Sequence, residues 1–112
     1  MKFILSILLF LLVSLGAYAQ NGRIDPCRVY GKIYVEKDRN YADFKVYIEE
    51  SEAFAHLLVY KHTNKFFADK PGQWYFTNIR SEADFWIFFE TEKGRSDFSI
   101  SYIPTESFAG CK

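Results

Sequence analysis

The chain repeats itself. From Tyr34 an aromatic residue returns at Tyr47, Tyr60, Tyr75 and Phe88, and Ser101 completes the column; the interval is 13 residues, with one of 15. Eight positions after each member lies Ala42, Ala55, Ala68, Ala83, Ser96 or Ala109, followed by Asp43, His56, Asp69, Asp84, Asp97 or Gly110. The residue before each is apolar: Ile33, Val46, Val59, Trp74, Ile87 or Ile100. Four columns that agree over six copies define a tandem repeat. A repeat of fixed length constrains the fold strongly, because every copy must build the same unit and bury its apolar face against its neighbours. The two extra residues fall in the third copy, where Lys70-Pro71-Gly72 precedes Gln73. Pro-Gly is a turn signal, so the insertion reads as a loop.

Each copy alternates before it turns. In Phe44-Lys45-Val46-Tyr47-Ile48, the residues Phe44, Val46 and Ile48 share a face; Phe85, Ile87 and Phe89 repeat it, as do Phe98, Ile100 and Tyr102. A period of two in β-branched and aromatic residues predicts a strand. Four residues after the aromatic comes a helix-capping type, at Asp38, Ser51, Asn64 and Thr105. Such side chains accept from the free N–H groups of a starting helical turn. The copies at Ile79 and Glu92 lack it. Ala in the next column suits close approach of the turn to its neighbours. The expected fold is mostly β with short helical turns, six strand–turn units in one compact domain. It is too small for a propeller and lacks the glycine pattern of a calcium-binding β-roll.

The first residues follow a different logic. Lys2 precedes an apolar run from Phe3 to Leu15, and Ala17-Tyr18-Ala19 ends it with a small-residue site. That is the pattern of a secretory signal peptide over residues 1–19, too short for a comfortable membrane span. A short segment, 20–28, would lead into a repeat domain over 29–112. The expected location is secreted or periplasmic. Without the leader, 13 basic and 14 acidic residues remain, a balance that gives no case for nucleic acid or an anionic membrane. Cys27 and Cys111 bracket the repeats. In an oxidising compartment an even pair so placed is expected as one disulfide rather than two buried thiols. Closing a loop of 84 residues contributes about 4.5 kcal/mol in the chain-entropy account.

The units VYIEESEAFAHLL, VYKHTNKFFADKPG and WYFTNIRSEADFW resemble those of the septoil knot family, whose members carry apolar-Tyr, a few polar residues, then Ala-Asp and an apolar pair. The likeness covers about Val29 to Lys112; His56, Ser96 and Gly110 interrupt the Ala-Asp pair. It implies a single small domain with a seven-crossing torus knot, and carries no biochemical activity with it. Identical units joined identically turn the chain by equal steps, which is consistent with such a winding, and a Cys27–Cys111 bridge would close it.

Chemistry is sparse. Asp43, Asp69, Asp84 and Asp97 could line up as a carboxylate ring, but a residue needed once per repeat is more simply a turn residue that bonds its own backbone. His56 and His62 are six apart, which suits no metal-ligand spacing. No nucleophile elbow or phosphate loop occurs, and bridged cysteines supply no thiolate. No catalytic residue, metal or cofactor is expected, and no enzyme activity. The better lead is the aromatic column itself: Tyr34, Tyr47, Tyr60, Tyr75 and Phe88, with Trp86 beside it as the best single exposed ring. Aromatic residues make up 20 % of the chain, more than a small core requires. Exposed, they would form a platform for an envelope polysaccharide or protein; covered by turns, they are core. The expectation is a monomeric, non-enzymatic domain built to resist unfolding and proteolysis, with the binding module as the alternative.

Overall fold

The structure is a computed structural model that describes residues 24–111. The expected leader lies outside the described residues. Among these, seven short strands alternate with seven 3-10 turns. The strands are β1 Gly31–Val35, β2 Phe44–Ile48, β3 Leu57–Lys61, β4 Gln73–Phe76, β5 Phe85–Glu90, β6 Phe98–Tyr102 and β7 Gly110–Cys111. The turns are η1 Pro26–Arg28, η2 Arg39–Tyr41, η3 Glu52–Phe54, η4 Lys65–Phe67, η5 Arg80–Glu82, η6 Lys93–Arg95 and η7 Glu106–Phe108.

Each turn is one tight winding stopped by the residue after it. In η2, Tyr41 donates its backbone N–H to the Asp38 carbonyl at 3.1 Å and Ala42 donates to Arg39 at 3.4 Å. Ala42 has already returned to extended backbone, φ −82° and ψ 143°, and so begins the approach to β2. The expected caps divide. The Asp38 and Asn64 side chains accept from the N–H two residues on, whereas Ser51 and Thr105 occupy the cap position without a side-chain cap bond. Asp25 caps η1 in the same way, accepting from Cys27 at 3.0 Å.

The strand order is β4-β1-β5-β2-β6-β3-β7, and a further pairing of β3 with β4 closes six parallel strands into a ring. β7 runs antiparallel against Leu57 and Leu58 of β3. The other edge of that stretch already holds β6, so β7 occupies the β4 side. With β7 counted, every consecutive pair of strands stands two places apart around the ring. Side-by-side parallel strands need a crossover of a dozen or more residues. Here the residues from Glu36 to Asp43 suffice between β1 and β2, because Val35 at the end of β1 and Phe44 at the start of β2 are both level with Ile87 of β5, so the chain steps past β5 without running back along a strand.

Inside the ring sits the column that precedes the aromatics. Ile33, Val46, Val59, Trp74, Ile87 and Ile100 are all at 0 % exposure. Burial narrows towards the strand ends: Phe44 is half-buried and Ile48, expected on the same core face, is exposed because β2 ends there. The Trp74 indole N–H donates to the Val29 carbonyl at 2.6 Å, so the one large polar-tipped core ring is satisfied. Gly31 has φ +106°, and a Cβ there would strike the Asp84 carboxylate.

Candidate functional site

The Asp column is a set of clasps. Asp97 donates its backbone N–H to the Lys45 carbonyl at 2.6 Å, and its carboxylate accepts from Lys45 N at 2.7 Å. Asp84 holds Lys32 in the same two ways, and Asp43 holds Trp86. His56 replaces the carboxylate with Nδ1, which accepts from Ser99 N at 3.0 Å. At Asp43, His56, Asp84 and Asp97 the expected local bond to the residue's own backbone is therefore replaced by a bond to a strand 43 or 52 residues away, whereas Asp69, just before the insertion, is exposed and makes no such clasp. The group of His, Cys, Asp and Glu with ligand-like proximity among the described residues is Asp25 with Cys27 and Cys111. Those two cysteines are bonded to each other, with Cα atoms 5.4 Å apart.

A second column joins turns to strands through charge. Arg80 at the start of η5 pairs with Glu36 at 2.6 Å, Lys93 of η6 with Glu49 at 2.6 Å, and Arg39 of η2 with Glu90. Glu36 and Glu90 are buried, so each carboxylate has its countercharge over it. Lys65 and Glu82 form a corresponding pair between turns at 2.6 Å. The hydrogen bond from Lys65, then that from Thr77, holds the Glu82 carboxyl below its usual range, and Glu82 raises Lys65 in return. Burial pushes Tyr102 up to about 12, so its phenol stays protonated and is no general base near neutrality.

The aromatic column faces outward beneath the turns. Tyr34, Tyr47, Tyr60, Tyr75, Phe88 and Trp86 are all half-buried. Neighbouring strands are staggered, so the column does not line up as a row. Tyr34 stands level with Trp86, but Tyr75 is level with Lys32, Phe88 with Lys45, Tyr47 with Ser99 and Tyr60 with Gln73. Trp86 is engaged: its N–H donates to the Arg80 carbonyl at 3.0 Å, and the Arg80 guanidinium lies 3.9 Å over the ring.

The freely exposed rings lie elsewhere, on the turns. Tyr41, Phe54, Phe67 and Phe108 each occupy the third turn position, and Phe66 adds to η4; Phe66 is 76 % exposed and Phe54 and Phe108 are 68 % exposed. Strand order puts three of these turns together. The β2–β3 connection crosses β6, the β6–β7 connection crosses β3, and the β3–β4 connection crosses β7, so η3, η7 and η4 follow one another around the ring. The sequence contained a signal for them, an aromatic immediately before the Ala column at Tyr41, Phe54, Phe67 and Phe108. Between η7 and the Lys70-Pro71-Gly72 insertion opens a cleft of about 690 Å³, lined by Lys70, Pro71, Gln73, Thr105, Glu106 and Ser107.

A family model described as the 7(1) septoil knot domain matches residues 26–112. The chain belongs to the septoil knot family. Residue 26 is also the first residue of η1, so the match starts where the ring starts. No curated protein matches the chain. In this septoil knot domain the clasps, the ion pairs to Glu36, Glu49 and Glu90, and the disulfide each join segments more than 40 residues apart in the sequence.

Proposed function

We propose that this domain is a non-catalytic scaffold of the extracytoplasmic space, built to persist where proteases and denaturing conditions are met. The observation that carries the reading is the constant step of two in the strand order, with the first turn and the last strand of the array joined by Cys27–Cys111. Seven steps of two around seven positions make two circuits. Each connection passes outside one strand of the other circuit, and we infer from this a seven-crossing knot that the disulfide locks. Fraying at either end is blocked, because β7 and η1 are tied to each other. The leader pattern at residues 1–19 and the disulfide both fit an oxidising compartment outside the cytoplasm. No helix among the described residues is long and apolar enough to cross a membrane.

The test is thermolysin digestion at increasing urea, with and without reductant. The oxidised domain is expected to survive where the reduced one is cut, and a digestion profile unchanged by reduction would remove the clasp from the account. A second reading, a binding module for an envelope polysaccharide or protein, is favoured by the exposed rings of η3, η4 and η7 rather than by the strand aromatics.

A further inference from the structure

The sevenfold pattern breaks at one place. Between η4 and β4 the chain carries two extra residues, and Gly72 there passes so close to β7 and β3 that a Cβ would collide with the Gly110 nitrogen and the Leu58 carbonyl. In repeat proteins an insertion in one copy commonly builds the binding face. The cleft of about 690 Å³ lies between this insertion and η7.

Its floor is polar and incompletely satisfied. Gln73 is buried, and its Nε2 donates to Glu106 Oε1 at 3.3 Å. His62 Nε2 approaches the same oxygen at 3.5 Å, beyond good hydrogen-bond range, and its side chain is 6 % exposed. Gln73 Oε1 and His62 Nε2 are, among the described residues, the buried side-chain polar atoms without a hydrogen-bond partner. Both orphans thus gather behind Glu106, at the one irregular unit. Buried polar groups left unpaired are costly and call for an explanation.

We propose that this cleft binds a neutral saccharide. The Glu106 carboxylate and the Gln73 carbonyl are acceptors, and they match hydroxyl donors. At the rim, Thr105, Ser107 and the Lys70 ammonium donate to hydroxyl and ring oxygens. Pro71 and Ala109 line its walls, apolar surfaces suited to the C–H face of a sugar ring. An anion would meet Glu106, a free amine would meet Lys70, and one carboxylate is too few for a metal. The site holds no second carboxylate for hydrolysis, so it binds without cleaving. It goes beyond the scaffold reading and does not depend on it: a protease-sensitive domain could still bind here.

The experiment is an amide NMR titration of the oxidised domain with cellotetraose and, separately, chitotetraose. A shallow open cleft implies Kd on the order of 1 mM. Shifts are expected at the Gln73 side-chain amide and over residues 105–109, with either sugar or both. Ser107→Arg, an exposed change that crowds the mouth, should weaken binding about tenfold, as should Gln73→Leu. If Gln73→Leu fails to fold, Ser107→Arg decides alone. Silence with both sugars, shifts centred on Tyr41 or Phe54, unchanged affinity in Ser107→Arg, or an equal response to spermidine would each overturn the proposal.

Discussion

A single carboxylate in this fold does the work of a strand edge. Asp97 gives and takes a hydrogen bond with the backbone of Lys45, a residue 52 positions away. The side chain thereby extends the ladder past the end of the strand, where backbone N–H groups would otherwise face water or a turn. Asp97→Ala is expected to cost about 1 kcal/mol, the usual worth of an exposed charge-assisted bond, and Asp97→Asn less, since the amide oxygen still accepts. Urea midpoints of the oxidised proteins measure it. A loss in Asp97→Ala that added Ca²⁺ or Zn²⁺ modulates in the parent would restore the metal-site reading of this column. The column itself was legible in the sequence as Asp at four of six copies, each directly after the Ala column. Its partner was not, because the bond runs between circuits and no local pattern records which strand of the other circuit lies alongside. The core column was fully legible for the opposite reason. Ile33, Val46, Val59, Trp74, Ile87 and Ile100 point into the ring through the alternation of their own strands, which needs no knowledge of neighbours.

At the scale of the element, the six expected strand–turn units run from β1–η2 to β6–η7, and the structure adds a seventh to them. The seventh is split. η1 opens the described chain and β7 ends it, so neither half contains both the Tyr and the Ala columns from which a copy is recognised. The sequence did hold a trace: Asp25 lies 13 residues before Asp38, and Val29 13 before Ala42. Cys27 on η1 and Cys111 on β7 join those halves, so the bridge completes a repeat as well as closing the chain. The caps show how a column can be right in position and uneven in energy. Asn64 accepts from Phe66 at 3.0 Å, whereas Ser51 makes no cap bond. Asn64→Ala should therefore cost about 1 kcal/mol and Ser51→Ala close to nothing, read from denaturation midpoints. Equal losses would mean that both hydroxyl and amide caps form in solution. Exposed rings at Tyr41, Phe54, Phe67 and Phe108 belong to this scale too. Three-residue turns have no second face to bury, so a third-position aromatic that would be core on a longer helix is left on the surface here.

For the whole molecule, the decisive fact is that nearly every hydrogen-bonded strand pair joins the two circuits. β1 pairs with β4 and β5, and β2 with β5 and β6. The sole consecutive strands that meet are β3 and β4, over two residue pairs. Such a fold offers little local structure from which to nucleate, and non-local pairing is slow because loop entropy is lost before contacts form. Topology adds a sharper constraint. A chain reduced and denatured can thread its ends through the forming ring. A chain denatured with Cys27–Cys111 intact keeps whatever crossings it had and should refold faster than the reduced one. A chain reduced, denatured and then reoxidised while still in denaturant closes as an unthreaded loop. If two circuits give seven crossings, that loop cannot reach the native arrangement by any motion that leaves the disulfide whole. It is expected to stay non-native by amide NMR after the denaturant is removed, and to recover when reductant is added. Native spectra from the loop closed in denaturant, without reductant, would show that the ring is not knotted and that the disulfide merely shortens an ordinary chain.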